Sequence, residues 1–160
     1  MEERQPITKK GYENLRVQIK QLMEIERPKI VKDIEVARSY GDLKENAEYH
    51  SAKEKQGMIE AKLQQLNDML VKAEVIDVSK MQGDTVKFGA KVSYENLDSG
   101  ENQSYYIVGP AESDINKNRI SITSPIGRAL IGKSVDDEVM INIPKGKIEI
   151  VITEISFPDE

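Results

Sequence analysis

The chain has no cysteine, no tryptophan, two phenylalanines and one histidine, His50, in 160 residues. Lack of cysteine removes disulfides, thiolate chemistry and cysteine zinc sites, and fits a cytoplasmic protein. One histidine excludes a multi-histidine metal site within one chain, and His50 alone is assigned no role. With so few large aromatics, a base-stacking platform for single strands is not expected. No apolar run approaches the ~20 residues that cross a bilayer, so no membrane partner is expected. The start, Met-Glu-Glu-Arg-Gln, has neither the cationic region nor the apolar core of a secretory signal. A positive surplus is also missing: 23 Lys+Arg face 28 Asp+Glu, a net charge of −5. Residues 1–76 hold 14 of each sign, and residues 77–160 hold 9 basic and 14 acidic. Neither half carries the basic face that counterion release on duplex DNA requires, so tight autonomous duplex DNA binding is not expected. A partner protein is the more natural target.

Hydrophobic spacing divides the chain in two. Tyr12, Leu15, Ile19 and Leu22, then Ile30, Ile34 and Ala37, recur at three- and four-residue steps. Ile59, Leu63, Leu66, Leu70 and Ala73 do the same on the return. Thr8 is in place to cap the first helix. Two such segments joined by a short turn make an antiparallel helical hairpin, an arm of roughly 45 Å at 1.5 Å per residue. Pro28 lies inside the first segment, where it either kinks the helix or separates two helices.

After Ala73 the period becomes alternation. Val75–Val78, Ala90–Tyr94, Tyr105–Val108, Arg119–Ile122, Glu138–Ile143 and Ile148–Ile152 read as strands, separated by Asp98-Ser99-Gly100, Gly109-Pro110 and Pro144-Lys145-Gly146. Ser124-Pro125 signals one short helix that ends near Gly132. The expected fold class is α+β. A long coiled-coil hairpin over residues 1–76, with an acidic tip at 40–46, precedes a small antiparallel-sheet domain with one helix over 77–160.

The tip reads A-R-S-Y-G-D-L-K-E-N-A-E-Y from Ala37 to Tyr49. Asp42 and Glu45 sit three apart beside Gly41. One reading makes them a capping box, with Asp42 at the N-cap and Glu45 reaching back. The other makes them outward-facing hard oxygen ligands. Mg²⁺ often takes only one or two protein carboxylates, so two acids on an arm suit a site that a partner half-builds. Glu48 reads as a solvated flank. Arg38 and Lys53 either pair within their helices or form a small basic patch that steers a phosphate backbone. Tyr40 and Tyr49 flank the turn and either close its apolar end or meet a partner.

The run from Ala37 to Gln56 closely resembles the first signature of the Gre transcript-cleavage factors. Ser121 to Asp137, S-I-T-S-P-I-G-R-A-L-I-G-K-S-V-D-D, is similar to that family's C-terminal signature. The acidic balance is nearer the GreA type than the more basic GreB type. The resemblance implies a coiled coil joined to a domain similar to FK506-binding proteins. It implies a transcription elongation factor that binds bacterial RNA polymerase at the rim of its secondary channel. The hairpin would enter that channel and stimulate cleavage of the nascent RNA 3′ end in backtracked complexes. The positions matching the family's catalytic acids are Asp42 and Glu45, which would help hold Mg²⁺ jointly with the polymerase, with none tightly bound in the isolated chain. Arg38 and Lys53 match the RNA-contacting basic patch. Thr123, Ser124 and Pro125 match the polymerase-docking loop. On this basis the chain is a cofactor and not an enzyme. Prolyl isomerase activity is not expected, because residues 80–160 offer only Phe88, Phe157 and a few tyrosines for an aromatic proline pocket.

Overall fold

Long helices dominate the first half, in a computed structural model that describes residues 4–42 and 46–158. Helix α1 spans Lys9–Gln21, α2 Arg27–Arg38 and α3 Ala47–Lys72. The threefold and fourfold spacing puts Leu15, Ile19, Ile30, Ile34 and Ala37 on the buried side of the outward path. Ala52, Leu63 and Leu66 are their buried counterparts on the return. Near the turn, Ile30, Ile34 and Ala52 pack with Tyr49 and Ile59. The 26 residues of α3 correspond to a rod of about 39 Å.

Pro28 neither breaks the helix nor is ignored by it. Between α1 and α2, Leu22–Glu26 form a π-helical turn, and the Arg27 N–H donates to the Leu22 carbonyl, five residues back. Proline has no N–H, and its ring clashes with the carbonyl of residue i−4 in a regular α-helix. The wider turn ahead of it relieves that conflict and keeps the path helical. Arg27 also reaches across to α3, where its Nε and Nη2 donate to the two carboxylate oxygens of Glu60 at 2.8 and 2.9 Å. The hydrogen bond to Glu60 holds the guanidinium pKa above its ordinary value. This pair is solvent-exposed and adds little stability.

The chain divides into two compact units: Glu13–Lys72, and Met1–Tyr12 together with Ala73–Glu160. This corrects the expected hairpin boundary of 1–76. The physical reason is a strand pair. Strand β1, Gln5–Thr8, runs parallel to β2, Ala73–Ile76, with Gln5 opposite Ala73 and Thr8 opposite Ile76. Gly109 lets β1 come close, since a Cβ there would stand 1.8 Å from the Pro6 carbonyl oxygen.

The larger sheet has the order β5-β4-β3-β7-β6, built from Lys91–Asn96 (β3), Asn102–Val108 (β4), Arg119–Ser121 (β5), Glu138–Ile143 (β6) and Gly146–Ser156 (β7). Its pairings are antiparallel except β4 with β5, which is parallel. The sheet is therefore mostly antiparallel, as the alternation suggests, with one parallel pair at β4 and β5. Alternate residues face the core, including Val92 and Tyr94, Val139 and Ile141, Ile150 and Ile152. Helix α4, Pro125–Leu130, closes over it with Leu130 fully buried. The Ser124 Oγ accepts the Gly127 N–H at 3.0 Å, and Pro125 occupies the first turn. This is the capped start that Ser124-Pro125 predicts.

Candidate functional site

The turn of the hairpin is built by short-range bonds. At the end of α2, Ser39 N–H donates to the Val36 carbonyl at 3.1 Å, Tyr40 N–H to Ala37 at 3.2 Å and Gly41 N–H to Arg38 at 3.3 Å. These tighten the last turn before Gly41 takes a φ of +109°, which side chains other than glycine rarely adopt. On the other side, Asn46 Oδ1 accepts the Tyr49 N–H at 3.0 Å and so caps α3. The Asn46 Nδ2 donates to the Ala37 carbonyl, tying the start of α3 to the end of α2.

Sequence reasoning missed Asn46. The available signal was an asparagine directly before Ala47-Glu48, the form of an N-cap followed by an acid in the first turn. Asn46 directly precedes α3, which starts at Ala47. Asp42 is exposed at the turn. Glu45 lies outside the described residues. Glu48, in the first turn of α3, is exposed. It lines an open depression of about 570 Å³ together with Tyr40, Asp42, Asn46 and Ala47.

The other tip residues differ in environment. Tyr49 packs against the cluster of Ile30, Ile34 and Ala52, and its ring meets His50 edge-on with centroids 5.6 Å apart. Tyr40 is 67% exposed. Arg38, in the last turn of α2, is exposed, and so is Lys53, whose Nζ donates to Gln56 Oε1 at 3.2 Å. The depression thus brings Tyr40 and Asp42 together with Asn46 and Glu48, while Arg38 and Lys53 are not among its lining residues. Among the described residues, no group of three or more His, Cys, Asp or Glu stands close enough to hold a metal ion by itself.

Thr123, Ser124 and Pro125 belong to the other unit. Thr123 and Pro125 are exposed, while Ser124 is half-buried. Ser124 Oγ donates to the Ser121 carbonyl at 2.7 Å as well as capping α4. The Thr123 N–H donates to Ser121 Oγ at 3.1 Å, and the two hydroxyl oxygens stand 2.7 Å apart. Gly127 is required here, since a Cβ would lie 2.3 Å from the Ser121 carbonyl oxygen. The loop is therefore a stiff, exposed corner. Phe88, Tyr94 and Tyr105 are buried inside the domain. Among the described residues no helix is long and apolar enough to cross a membrane.

Comparison with known proteins covers both halves. Residues 5–75 match the family profile "Transcription elongation factor, N-terminal", and residues 81–157 match "Transcription elongation factor, GreA/GreB, C-term". Transcription elongation factor GreA of Anaeromyxobacter sp. (strain K) is 49% identical over 158 residues, covering 99% of this chain and 95% of that protein. GreA of Thermodesulfovibrio yellowstonii is 48% identical over 157 residues, covering 98% and 99%. Among solved structures, GreA factor homolog 1 of Thermus thermophilus is 31% identical, covers 97% of this chain and 99% of that chain, and superposes with a TM-score of 0.45. The chain belongs to the GreA/GreB family of transcription elongation factors.

Proposed function

We propose that this chain binds bacterial RNA polymerase at its secondary channel and lends tip carboxylates to the polymerase's active centre. The outcome is stimulated endonucleolytic cleavage of the RNA 3′ end in backtracked complexes, so that elongation resumes. On this reading the chain owns no complete active site and is a cofactor of the polymerase. The observation that carries the reading is the placement of Asp42, exposed at the turn of the hairpin beside Gly41. Membership of an elongation-factor family supports the cellular setting.

The donor set fits a shared Mg²⁺ site. Asp42 is a hard oxygen donor, and Mg²⁺ commonly takes one or two protein carboxylates while keeping waters or phosphates for the rest. When bound, Mg²⁺ supplies Lewis-acid chemistry: it lowers the pKa of an attacking water and stabilises charge on phosphate oxygens. Asp42 and Glu45 would contribute the carboxylate oxygens that hold the ion. Arg38 and Lys53 attract the RNA phosphates; Arg38 offers a planar fork, and Lys53 a point charge. Tyr40 presents an exposed ring towards RNA or polymerase, while Tyr49 supports the turn from within. The corner of Thr123, Ser124 and Pro125 docks on the channel rim.

The docking role is tested by substituting Thr123→Glu and Pro125→Glu and measuring competition with the native chain for polymerase. Both side chains are exposed, so folding should persist while affinity falls. Native affinity in both variants would remove this corner from the interface.

A further inference from the structure

Asn46 makes two bonds with separate consequences. Its Oδ1 accepts the Tyr49 N–H, which caps α3. Its Nδ2 donates to the carbonyl of Ala37, nine residues earlier, in the last turn of α2. A cap needs only an acceptor, and serine or aspartate provides one equally well. The donor half is an addition, and it joins the two ends of the segment that carries Asp42 and Glu45. The acceptor end is itself anchored. Ala37 is 3% exposed, and its carbonyl also receives the Tyr40 N–H at 3.2 Å.

Resting on the reading of the tip as a donor of carboxylates, we propose that Asn46 is a positioning residue for that chemistry: its bond to Ala37 fixes the span of the acidic turn and holds Asp42 in place. Asn46 acts through the carboxylates and contacts neither RNA nor metal. A turn whose ends are tied during folding does not have to be ordered again when the reacting groups meet.

Two substitutions separate the bridge from the cap. Asn46→Ser keeps an N-cap oxygen but is too short to reach Ala37 while capping. Asn46→Ala removes both functions. Each is compared with the native chain in backtracked elongation complexes at saturating protein, with Mg²⁺ varied and polymerase affinity measured alongside. Asn46→Ser should retain native Tm and affinity, lose roughly 10- to 100-fold in maximal cleavage rate, and need more Mg²⁺ for half-maximal rate. Asn46→Ala should lose as much cleavage and also lower Tm. Native cleavage and native Mg²⁺ dependence in Asn46→Ser would overturn the proposal and leave Asn46 a cap only. Amide relaxation of the free protein gives a second reading. The Gly41 and Asp42 amides should gain mobility in Asn46→Ser, and unchanged order there would also overturn it. Failure of the underlying functional reading is separable, because then the native chain itself does not stimulate cleavage, while the relaxation comparison still reports on the bridge.

Discussion

Glu112 grips Thr8 with both carboxylate oxygens: Oε1 accepts the Thr8 N–H and Oε2 the Thr8 hydroxyl, each at 2.7 Å. The same hydroxyl oxygen accepts the Gly11 N–H at 3.0 Å and so caps α1, as the position of Thr8 in the sequence predicts. Thr8 is 4% exposed, so these bonds form largely away from water. Hydrogen bonds to a charged partner contribute about 1.5–3 kcal/mol. Glu112→Ala should therefore destabilise by about 2–3 kcal/mol, read as a lower urea midpoint at unchanged slope. An unchanged midpoint would show that the clamp contributes nothing.

Gly11 gives a sharper test of the same contact. A Cβ at Gly11 would lie 2.5 Å from the Glu112 carboxyl carbon. The carboxylate can swing away, but only by releasing Thr8. Gly11→Ala should cost about 1–2 kcal/mol in the native background, the lost clamp offset by the better helix propensity of alanine. In a Glu112→Ala background the clash is gone, and Gly11→Ala should stabilise by up to about 1 kcal/mol. The same sign in both backgrounds would contradict this coupling.

At Gly109 the obstacle is backbone. A Cβ would lie 1.8 Å from the Pro6 carbonyl oxygen and 3.0 Å from the carbonyl carbon, and no flexible side chain is there to move. Gly109→Ala should displace β1 and cost about 3 kcal/mol or more. Hydrogen exchange would show the loss first at β1 and β2. Protection equal to the native chain would mean that the strand adjusts without cost.

Tyr94 predicts a response to alkali. It is 5% exposed, and burial, with smaller contributions from the charge of Tyr105 and a hydrogen bond to it, pushes its pKa up to about 12. In the unfolded chain the value is about 10. The folded state thus holds the proton more tightly. The associated stability is fully present below about pH 10 and is lost as pH rises towards 12. Tyr94→Phe should make the decline in stability over this window shallower. An equally steep decline in both proteins would contradict the assignment.

Much of this structure was legible in the sequence because its signals are local. The three- and four-residue steps from Tyr12 to Ala37 and from Ile59 to Leu70 mark helices without knowledge of any partner, and Ser124-Pro125 specifies the start of α4 within four residues. What escaped depends on distant pairing. Strand β1 is four residues with a proline, and only Ala73–Ile76 makes it a strand. The parallel match of β4 with β5 is likewise invisible to alternation. Pro28 left two outcomes open because a π-turn lets proline remain within a helix. At the tip, the spacing of Asp42 and Glu45 was readable, and so was the resemblance they carry. The bond from Asn46 to Ala37 was not, since it exists only once the two arms approach.

The central claim is that the tip donates carboxylates to the polymerase. The most direct measurement is RNA 3′-end cleavage in halted, backtracked elongation complexes with Mg²⁺, comparing the native chain with Asp42→Ala and Glu45→Ala at equal polymerase occupancy. The account predicts strong cleavage by the native chain and a loss of roughly 100-fold or more in each variant, with binding retained. Cleavage undiminished in both variants would contradict it.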